Sequence, residues 1–383
     1  MTYSVLSTKL NRPQLPESMV YREELLKDSS WANVVLVSAQ AGSGKSTIIS
    51  AWLAEQDKPH IWYSLDEWDN DLMQFFTYLI AGIKSIDGQA AERLEQLLDS
   101  YQSIGFETLL KALINQLHAI ENPFILVFDD YQVIRNDQIH QIIRTILEHM
   151  PKSMQLVLTT REDPPFPLAK LRAAKKLLEL RISNLRFTEE EAKTFFSRQR
   201  DLTLNEDQIQ HLYKRTEGWI AGLQLTALSM QGIEDINGFI DAFTGSHYYI
   251  MDYLMEEVLE RQAPEIKDFL LKTAVLEIFS GELCEAVVRL EAGEGNAIIE
   301  RLVKTNSFII SMDTTRKWYR YHHLFRDLLR QRLEQQSEIE KEELHHRAGR
   351  WFKTAGREQE AIQHFLNAKA SEEAAALIET SPS

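Results

Sequence analysis

The segment Ala39-Gln40-Ala41-Gly42-Ser43-Gly44-Lys45-Ser46-Thr47 decides the fold of this 383-residue chain. Glycine, four residues, then Gly-Lys-Ser/Thr is the pattern of a phosphate-cradling loop. Ala39 stands at the first glycine position, while Gly42, Gly44, Lys45 and Ser46 are all present. The flanks fit the pattern. Val34-Val35-Leu36-Val37 reads as a buried strand before it, and Ser46–Leu53 as a helix after it. Glycines let successive backbone N–H groups turn into one concavity, and the helix adds the positive end of its dipole. Ala41, Gly42, Ser43, Gly44, Lys45, Ser46 and Thr47 are therefore the candidate ligands of a nucleotide's phosphates. Lys45 would neutralise β- and γ-phosphate oxygens, and the Ser46 hydroxyl would ligate Mg²⁺.

A second element answers the first. Pro123-Phe124-Ile125-Leu126-Val127-Phe128-Asp129-Asp130-Tyr131 is an apolar strand ending in two carboxylates. They emerge at the strand's C-terminal end, where α/β sheets bind ligands. Asp129 would hold Mg²⁺ through water, and Asp130 would orient or deprotonate the attacking water. Aspartate is one methylene shorter than glutamate, so slow turnover is expected. Leu156-Val157-Leu158-Thr159-Thr160-Arg161 is a further buried strand, ending in a cation. If it lies beside the phosphate-loop strand, Arg161 can sense the γ-phosphate. The plainer alternative is a salt bridge to a surface carboxylate.

Between these motifs, short apolar runs alternate with amphipathic stretches. Asn33–Ala39, Pro59–Leu65, Pro123–Phe128, Met154–Thr160 and Lys176–Ile182 read as strands, with helical patterns between most of them. That alternation implies an α/β P-loop NTPase fold, a mostly parallel sheet with helices on both faces. From Thr188 to about Lys304 the pattern is almost wholly helical, opening with a capping box at Thr188-Glu189-Glu190-Glu191. Ser307–Met312 and Trp318–Tyr321 read as a small hairpin, followed by a helix over His322–Gln335. Helix on both sides of a hairpin suggests a winged helix. Ala348–Thr354 and Gln359–Ala368, with Gly356 at the turn, read as the start of a helical-repeat array. The expected organisation is a lead-in over 1–32, the P-loop domain over 33–186 and a helical domain over 187–260. A winged-helix-like domain over 261–336 and a helical arm or repeat start over 337–383 follow. An array stopping near Ser383 would be uncapped, which suggests a piece of something longer.

Composition narrows the partners. The net charge is −15, so the bulk surface repels phosphate backbones. The one local basic cluster is Arg316, Lys317, Arg320, Arg326, Arg330 and Arg332, with Glu334, Glu338, Glu340, Glu342 and Glu343 close by to pair with it. The lone Cys284 excludes an internal disulfide and is expected in a core. His60, His118, His140, His149 and the adjacent pair His345-His346 lack metal-ligand spacing, so no structural zinc is expected. No signal segment or membrane-length apolar run is evident, which reads as a soluble, cytoplasmic protein.

Five signatures together resemble the MalT-like large ATP-binding regulators of the LuxR family, within the signal-transduction ATPases with numerous domains. They are Lys9-Leu10-Asn11-Arg12-Pro13, Trp62-Tyr63-Ser64-Leu65-Asp66-Glu67 with Asp69-Asn70, and Asp129-Asp130-Tyr131 with Arg161. Gly218-Trp219-Ile220-Ala221-Gly222-Leu223-Gln224-Leu225 and Tyr321-His322-His323-Leu324-Phe325 complete the set. The resemblance implies ADP in a closed, inactive form and ATP plus an inducer in an open form that self-associates. It places the inducer sensor in a repeat domain and DNA binding in a C-terminal domain, neither of them complete here. It implies that His322 contacts the ADP β-phosphate, that Gly218 approaches the base or ribose, and that the lead-in with Arg22 lies against the adenine. Read from the residues alone, His322 is equally a core or interface histidine. Gly218–Leu225 is equally a helix packed through Trp219, Leu223 and Leu225, and Arg22 an exposed arginine. Asp66, Glu67 and Asp69 could position water or Mg²⁺, but a solvated loop is the plainer reading.

Three activities share these motifs: a regulatory switch, a fast remodelling ATPase and a P-loop kinase. No paired-arginine lid marks a kinase, and Asp130 argues against rapid cycling. The switch is the expected activity.

Overall fold

The structure, a computed structural model, describes residues 5–16, 19–27, 29–199, 202–233, 235–243, 247–336 and 338–380, with side chains also left aside at 336, 338, 339 and 380. It divides into two compact units, one running to Arg186 and one from Phe187 onward.

In the first unit, strands β1 (Val34–Ser38), β2 (His60–Ser64), β3 (Phe124–Asp129), β4 (Met154–Thr160) and β5 (Leu177–Arg181) form one sheet, in the order β2-β3-β4-β1-β5. Every pairing is parallel. These are the five apolar runs of the sequence. The two-residue period of a strand explains how one run serves two cores. Val34 and Leu36 join Ile61, Tyr63, Phe124, Leu126, Phe128, Leu156 and Leu158 on one face. Val35 and Val37 join Trp62, Ile125, Val127 and Val157 on the other. The first face is covered by the helices Leu72–Lys84, Gly88–Asp99, Phe106–Ala119 and Asp137–Glu148, whose apolar sides fill its core. The second is covered chiefly by helix α1 (Lys45–Ala54), through Ile48, Ile49, Trp52 and Leu53.

The lead-in lies on this unit in a way the sequence misread. Lys9 Nζ sits 2.5 Å from Asp69 and 3.0 Å from Asp66, stacked on the ring of Tyr78. Asp69 is fully buried and also accepts from Tyr63 Oη at 2.8 Å and from the Asp66 N–H at 2.7 Å. The solvated-loop reading of Asp69 is therefore corrected: a buried carboxylate needs donors on all sides, and a lysine 60 residues upstream supplies the charge. Arg12 then donates to the Ser50 carbonyl at 2.7 Å, and Ser50 Oγ donates to the Pro13 carbonyl at 2.6 Å, tying the lead-in to α1.

The second unit is helical up to a hairpin. Thr188 and Glu191 form the expected capping box at the head of Glu189–Ser197. Helices Glu206–Thr216, Ile220–Met230, Pro264–Thr273, Gly281–Val288 and Glu294–Lys304 follow, among shorter ones. Cys284 is buried in Gly281–Val288. Strands β6 (Ile309–Ser311) and β7 (Tyr319–Tyr321) then pair antiparallel, and Phe279 adds a bridge to Tyr319. The helices His323–Gln336, Glu338–Thr354, Glu358–Asn367 and Ser371–Thr380 complete the unit, with Gly356 left-handed at the expected turn. Among the described residues no helix is long and apolar enough to cross a membrane.

Candidate functional site

The loop after β1 takes the shape its glycines allow. Gly42 and Gly44 have φ of 69° and 76°, in the left-handed region that favours glycine. Gly44 caps α1, and its carbonyl already accepts from Ile48 N at 2.9 Å. Ala39 needs no such freedom. Its N–H donates to the Thr160 carbonyl at 3.2 Å, so it still extends the β1–β4 ladder, and alanine serves where the pattern has glycine. Inside the loop, Ser43 Oγ and Lys45 Nζ both donate to the Gln40 carbonyl, at 2.9 and 3.1 Å. Lys45 is buried.

Sheet order brings the other motifs to this loop. β4 lies directly beside β1, with Ser38 opposite Thr160, and β3 lies beside β4. Ser46 Oγ donates to Asp129 Oδ1 at 2.8 Å, and Thr159 Oγ donates to the same oxygen at 2.5 Å. Burial raises the Asp129 carboxyl above its ordinary range and the neighbouring Asp130 charge adds to this, while the Thr159 and Ser46 hydroxyls and Lys45 pull it down. Two hard oxygen donors side by side, Ser46 and Asp129, suit Mg²⁺.

Asp130 turns the chain. Its φ is 59°, uncommon for a residue with a side chain. Its N–H donates to Thr159 Oγ at 3.0 Å, so the Thr159 hydroxyl links the two carboxylate residues. Gln132 Nε2 donates to Asp130 Oδ1 at 2.9 Å, while Gln132 Oε1 accepts from the Arg161 N–H, also at 2.9 Å. Sequence reasoning missed Thr159 and Gln132. The only signal was position: Thr159 precedes the strand-end cation by two residues, and Gln132 follows the acidic pair.

Arg22 has a different surrounding. Its guanidinium donates to the carbonyls of Leu185, Asn184 and Arg186, at 2.8, 2.9 and 3.1 Å. The same side chain lines a cavity of about 170 Å³ with Tyr21, Leu26, Ile48, Ala51 and Trp52. Tyr21, at the cavity's wall, has its hydroxyl pushed up to about 12 by burial and by Glu55.

The remaining sequence candidates lie in the second unit, and two of the signatures meet there. His322 is fully buried and its Nε2 donates to the Thr216 carbonyl at 2.9 Å. Its ring meets Trp219 and Phe308 edge-on. Between the two adjacent histidines, the hairpin turns His322 into the interior and leaves His323 half-buried. Gly218 has φ of 70°, and a Cβ there would fall 2.3 Å from the Phe187 carbonyl oxygen. The close approach that this glycine permits is thus to the backbone of Phe187, whose N–H donates to the Gly218 carbonyl at 2.8 Å. Arg320 makes a two-pronged bond to Glu217, at 2.7 and 2.9 Å. Arg326 and Arg330 lie 3.6 and 3.7 Å from Glu277. Three of the cluster's six cations, Arg320, Arg326 and Arg330, are thus met by carboxylates of the chain itself, and these lie outside the run that sequence proximity suggested.

Comparison with known proteins agrees with this geometry. Residues 23–159 match the family described as an AAA ATPase domain. Residues 255–341 match the MalT winged helix domain. The HTH-type transcriptional regulator MalT of Yersinia pestis (strain Pestoides F) is 36% identical over 372 residues, which cover 95% of this chain and 40% of the relative. Over nearly its whole length the chain is similar to the MalT regulators. MalT of Yersinia enterocolitica is 35% identical over the same share of each protein. This MalT-like chain spans about 40% of the length of those relatives. Among solved structures, the Walker-type ATPase of Pyrococcus abyssi superposes with a TM-score of 0.58 at 14% identity, over 83% of this chain and 98% of that one, a likeness of fold alone.

Proposed function

We propose that the chain is the nucleotide-binding switch of a transcription regulator, holding ATP or ADP with Mg²⁺ and hydrolysing ATP slowly. The observation that carries this reading is the continuous chain of hydrogen bonds Ser46–Asp129–Thr159–Asp130–Gln132–Arg161 beside a glycine-turned phosphate loop. In this reading the backbone from Ala41 to Thr47 cradles the phosphates, with Lys45 as the neutralising charge. Ser46, and Asp129 through water, hold Mg²⁺, which when bound neutralises charge on the β- and γ-phosphates. Asp130 orients or deprotonates water, and Arg161 senses the γ-phosphate. The base would take the cavity beside Tyr21 and Arg22, which is walled by apolar side chains and rimmed by polar ones.

The finer regulatory scheme belongs to the same proposal. ADP holds the closed form with help from Gly218 and His322, ATP and an inducer open it, and the open form self-associates. We assign inducer and DNA recognition to further domains, since a chain of net charge −15 is a poor reader of nucleic acid. The measurement that tests the core of the proposal is mass spectrometry of nucleotide released from denatured protein, beside titration of ATP and ADP into wild type and Lys45→Ala. Retained ADP and loss of binding in the variant are expected. Undiminished binding in Lys45→Ala would remove the phosphate-loop assignment. Turnover above about 1 s⁻¹, the low end for ordinary phosphoryl-transfer enzymes, would favour a motor instead.

A further inference from the structure

We infer that Gln132 is a positioning residue for ATP hydrolysis: its side-chain amide holds Asp130 in register with the strand end that carries Arg161. The inference rests on the nucleotide reading above and adds a residue to it. Gln132 sits in the tight turn Tyr131–Val133 that follows β3. The left-handed backbone at Asp130 folds that turn back, so that the glutamine two residues on reaches the aspartate's own carboxylate. The amide is used at both ends. Nε2 donates to Asp130 Oδ1, and Oε1 accepts from the Arg161 N–H. With the Asp130 N–H on Thr159 Oγ, the two strand ends are laced into one ring of hydrogen bonds. Asp130 is thereby fixed by its backbone from one side and by its side chain from the other.

Only a group that both donates and accepts can occupy this place. The amide commits Asp130 Oδ1 and leaves the other carboxylate oxygen to act on water. In the step so served, water oxygen bonds to the γ-phosphorus and the bond from that phosphorus to the β–γ bridging oxygen breaks. ADP leaves with the electron pair, and the water proton passes to Asp130. A movement of Arg161 on meeting a γ-phosphate would pull on the Gln132 amide, and through it on the carboxylate. Gln132 touches neither phosphate nor water in this scheme, so its effect falls on rate and not on nucleotide affinity.

The test compares wild type, Gln132→Met and Gln132→Glu in single-turnover MgATP hydrolysis with enzyme in excess, with ADP affinity and thermal midpoint measured alongside. Methionine keeps the length and loses both bonds. Glutamate keeps an acceptor for the Arg161 N–H but sets a like charge against Asp130 where the amide donated. The expected result is ADP affinity and midpoint near wild type in both variants, with hydrolysis roughly 10- to 100-fold slower, a part of the roughly 100- to 10,000-fold that a general base contributes. Wild-type rates in both variants overturn the role of Gln132 and leave the nucleotide reading standing. A loss of ADP affinity equal to the loss of rate overturns it too, because the residue would then be holding the site as a whole. A wild-type chain that leaves ATP intact overturns the hydrolytic reading and this inference together.

Discussion

His322 donates its Nε2–H to the carbonyl of Thr216, 2.9 Å away, and so ties the corner after β7 to the last turn of the helix Glu206–Thr216. The final carbonyls of a helix have no partner within it, and an imidazole N–H is a fitting one. The His322 ring is fully buried between Trp219 and Phe308, so its removal opens a cavity as well as a bond. His322→Ala should therefore cost about 2–4 kcal/mol. His322→Gln, which can still donate, should recover part of that. Denaturant unfolding of the two variants checks this. Parallel ADP off-rates separate the structural bond from the proposed contact of His322 with the ADP β-phosphate: faster release in His322→Ala, beyond what lost stability explains, supports the contact, and unchanged release removes it.

The lead-in offers a sharper energetic test. Lys9 is nearly buried and Asp69 wholly so, at 11% and 0% side-chain exposure. Taking away one partner of a buried pair strands the other, at a cost of about 3–5 kcal/mol. Lys9→Met should be destabilised by that order. Lys9→Met with Asp69→Asn should recover part of that loss, because an amide still accepts from the Tyr63 hydroxyl and leaves no charge to compensate, while its NH2 now faces the Asp66 N–H. A double variant as unstable as the single one would mean that the lysine acts by packing on Tyr78 and not by its charge.

His345 and His364 face each other through their Nδ1 atoms at 2.9 Å, joining the helices Glu338–Thr354 and Glu358–Asn367. Burial lowers both rings below the ordinary histidine range; His364, Lys341 and Arg330 add to this at His345, while at His364 Arg330 adds to it and Glu277 and Glu360 oppose it. The sign follows from linkage. The unfolded chain takes up these protons near pH 6.5 and the folded one only lower, so stability is full above that pH and declines as pH falls below it. Unfolding of wild type at pH 7.5 and pH 5 should show the loss. In His345→Leu the loss should be smaller. Equal losses in the two proteins would assign the acid sensitivity to other groups.

How much of this could be read from the chain follows from the range of each signal. The five strands were legible because a buried parallel strand is a local run of Val, Ile and Leu, as in Val34-Val35-Leu36-Val37. The phosphate loop was legible because its glycines answer to local φ, and Gly42 and Gly44 do take positive values. Pairings over long separations were not. Glu217 and Arg320 are 103 residues apart, and nothing in the hairpin's sequence names its carboxylate. Proximity pointed to Glu334, Glu338, Glu340, Glu342 and Glu343 instead, since charge runs show how much neutralisation is needed but not where the fold supplies it. Asp69 failed for the same reason. Its neighbours Asp66, Glu67 and Asp71 make a polar loop, and only the incoming Lys9 tells the buried carboxylate from the others. Gln132 was invisible because its role depends on a left-handed turn at Asp130, a conformation that sequence marks clearly only when the residue is glycine.

Asp129 brings stability and function into opposition. Burial and the adjacent Asp130 raise its carboxyl, which means that the folded state disfavours its charged form. An isosteric neutral residue removes that penalty. Asp129→Asn keeps an oxygen for the Ser46 and Thr159 hydroxyls, now 2.8 and 2.5 Å away. It should therefore leave the nucleotide-free protein as stable as wild type or more so at neutral pH, and narrow the gap as pH falls and the wild-type carboxyl takes its proton. The same change should abolish the added stabilisation that Mg²⁺ gives to ATP-bound protein, and with it hydrolysis, while ATP binding survives through the loop. Thermal midpoints with and without Mg²⁺ and ATP, at pH 7.5 and pH 5, read every part of this. If Asp129→Asn keeps its magnesium-dependent gain, the metal is held elsewhere, and Ser46 and Asp129 are structural partners only.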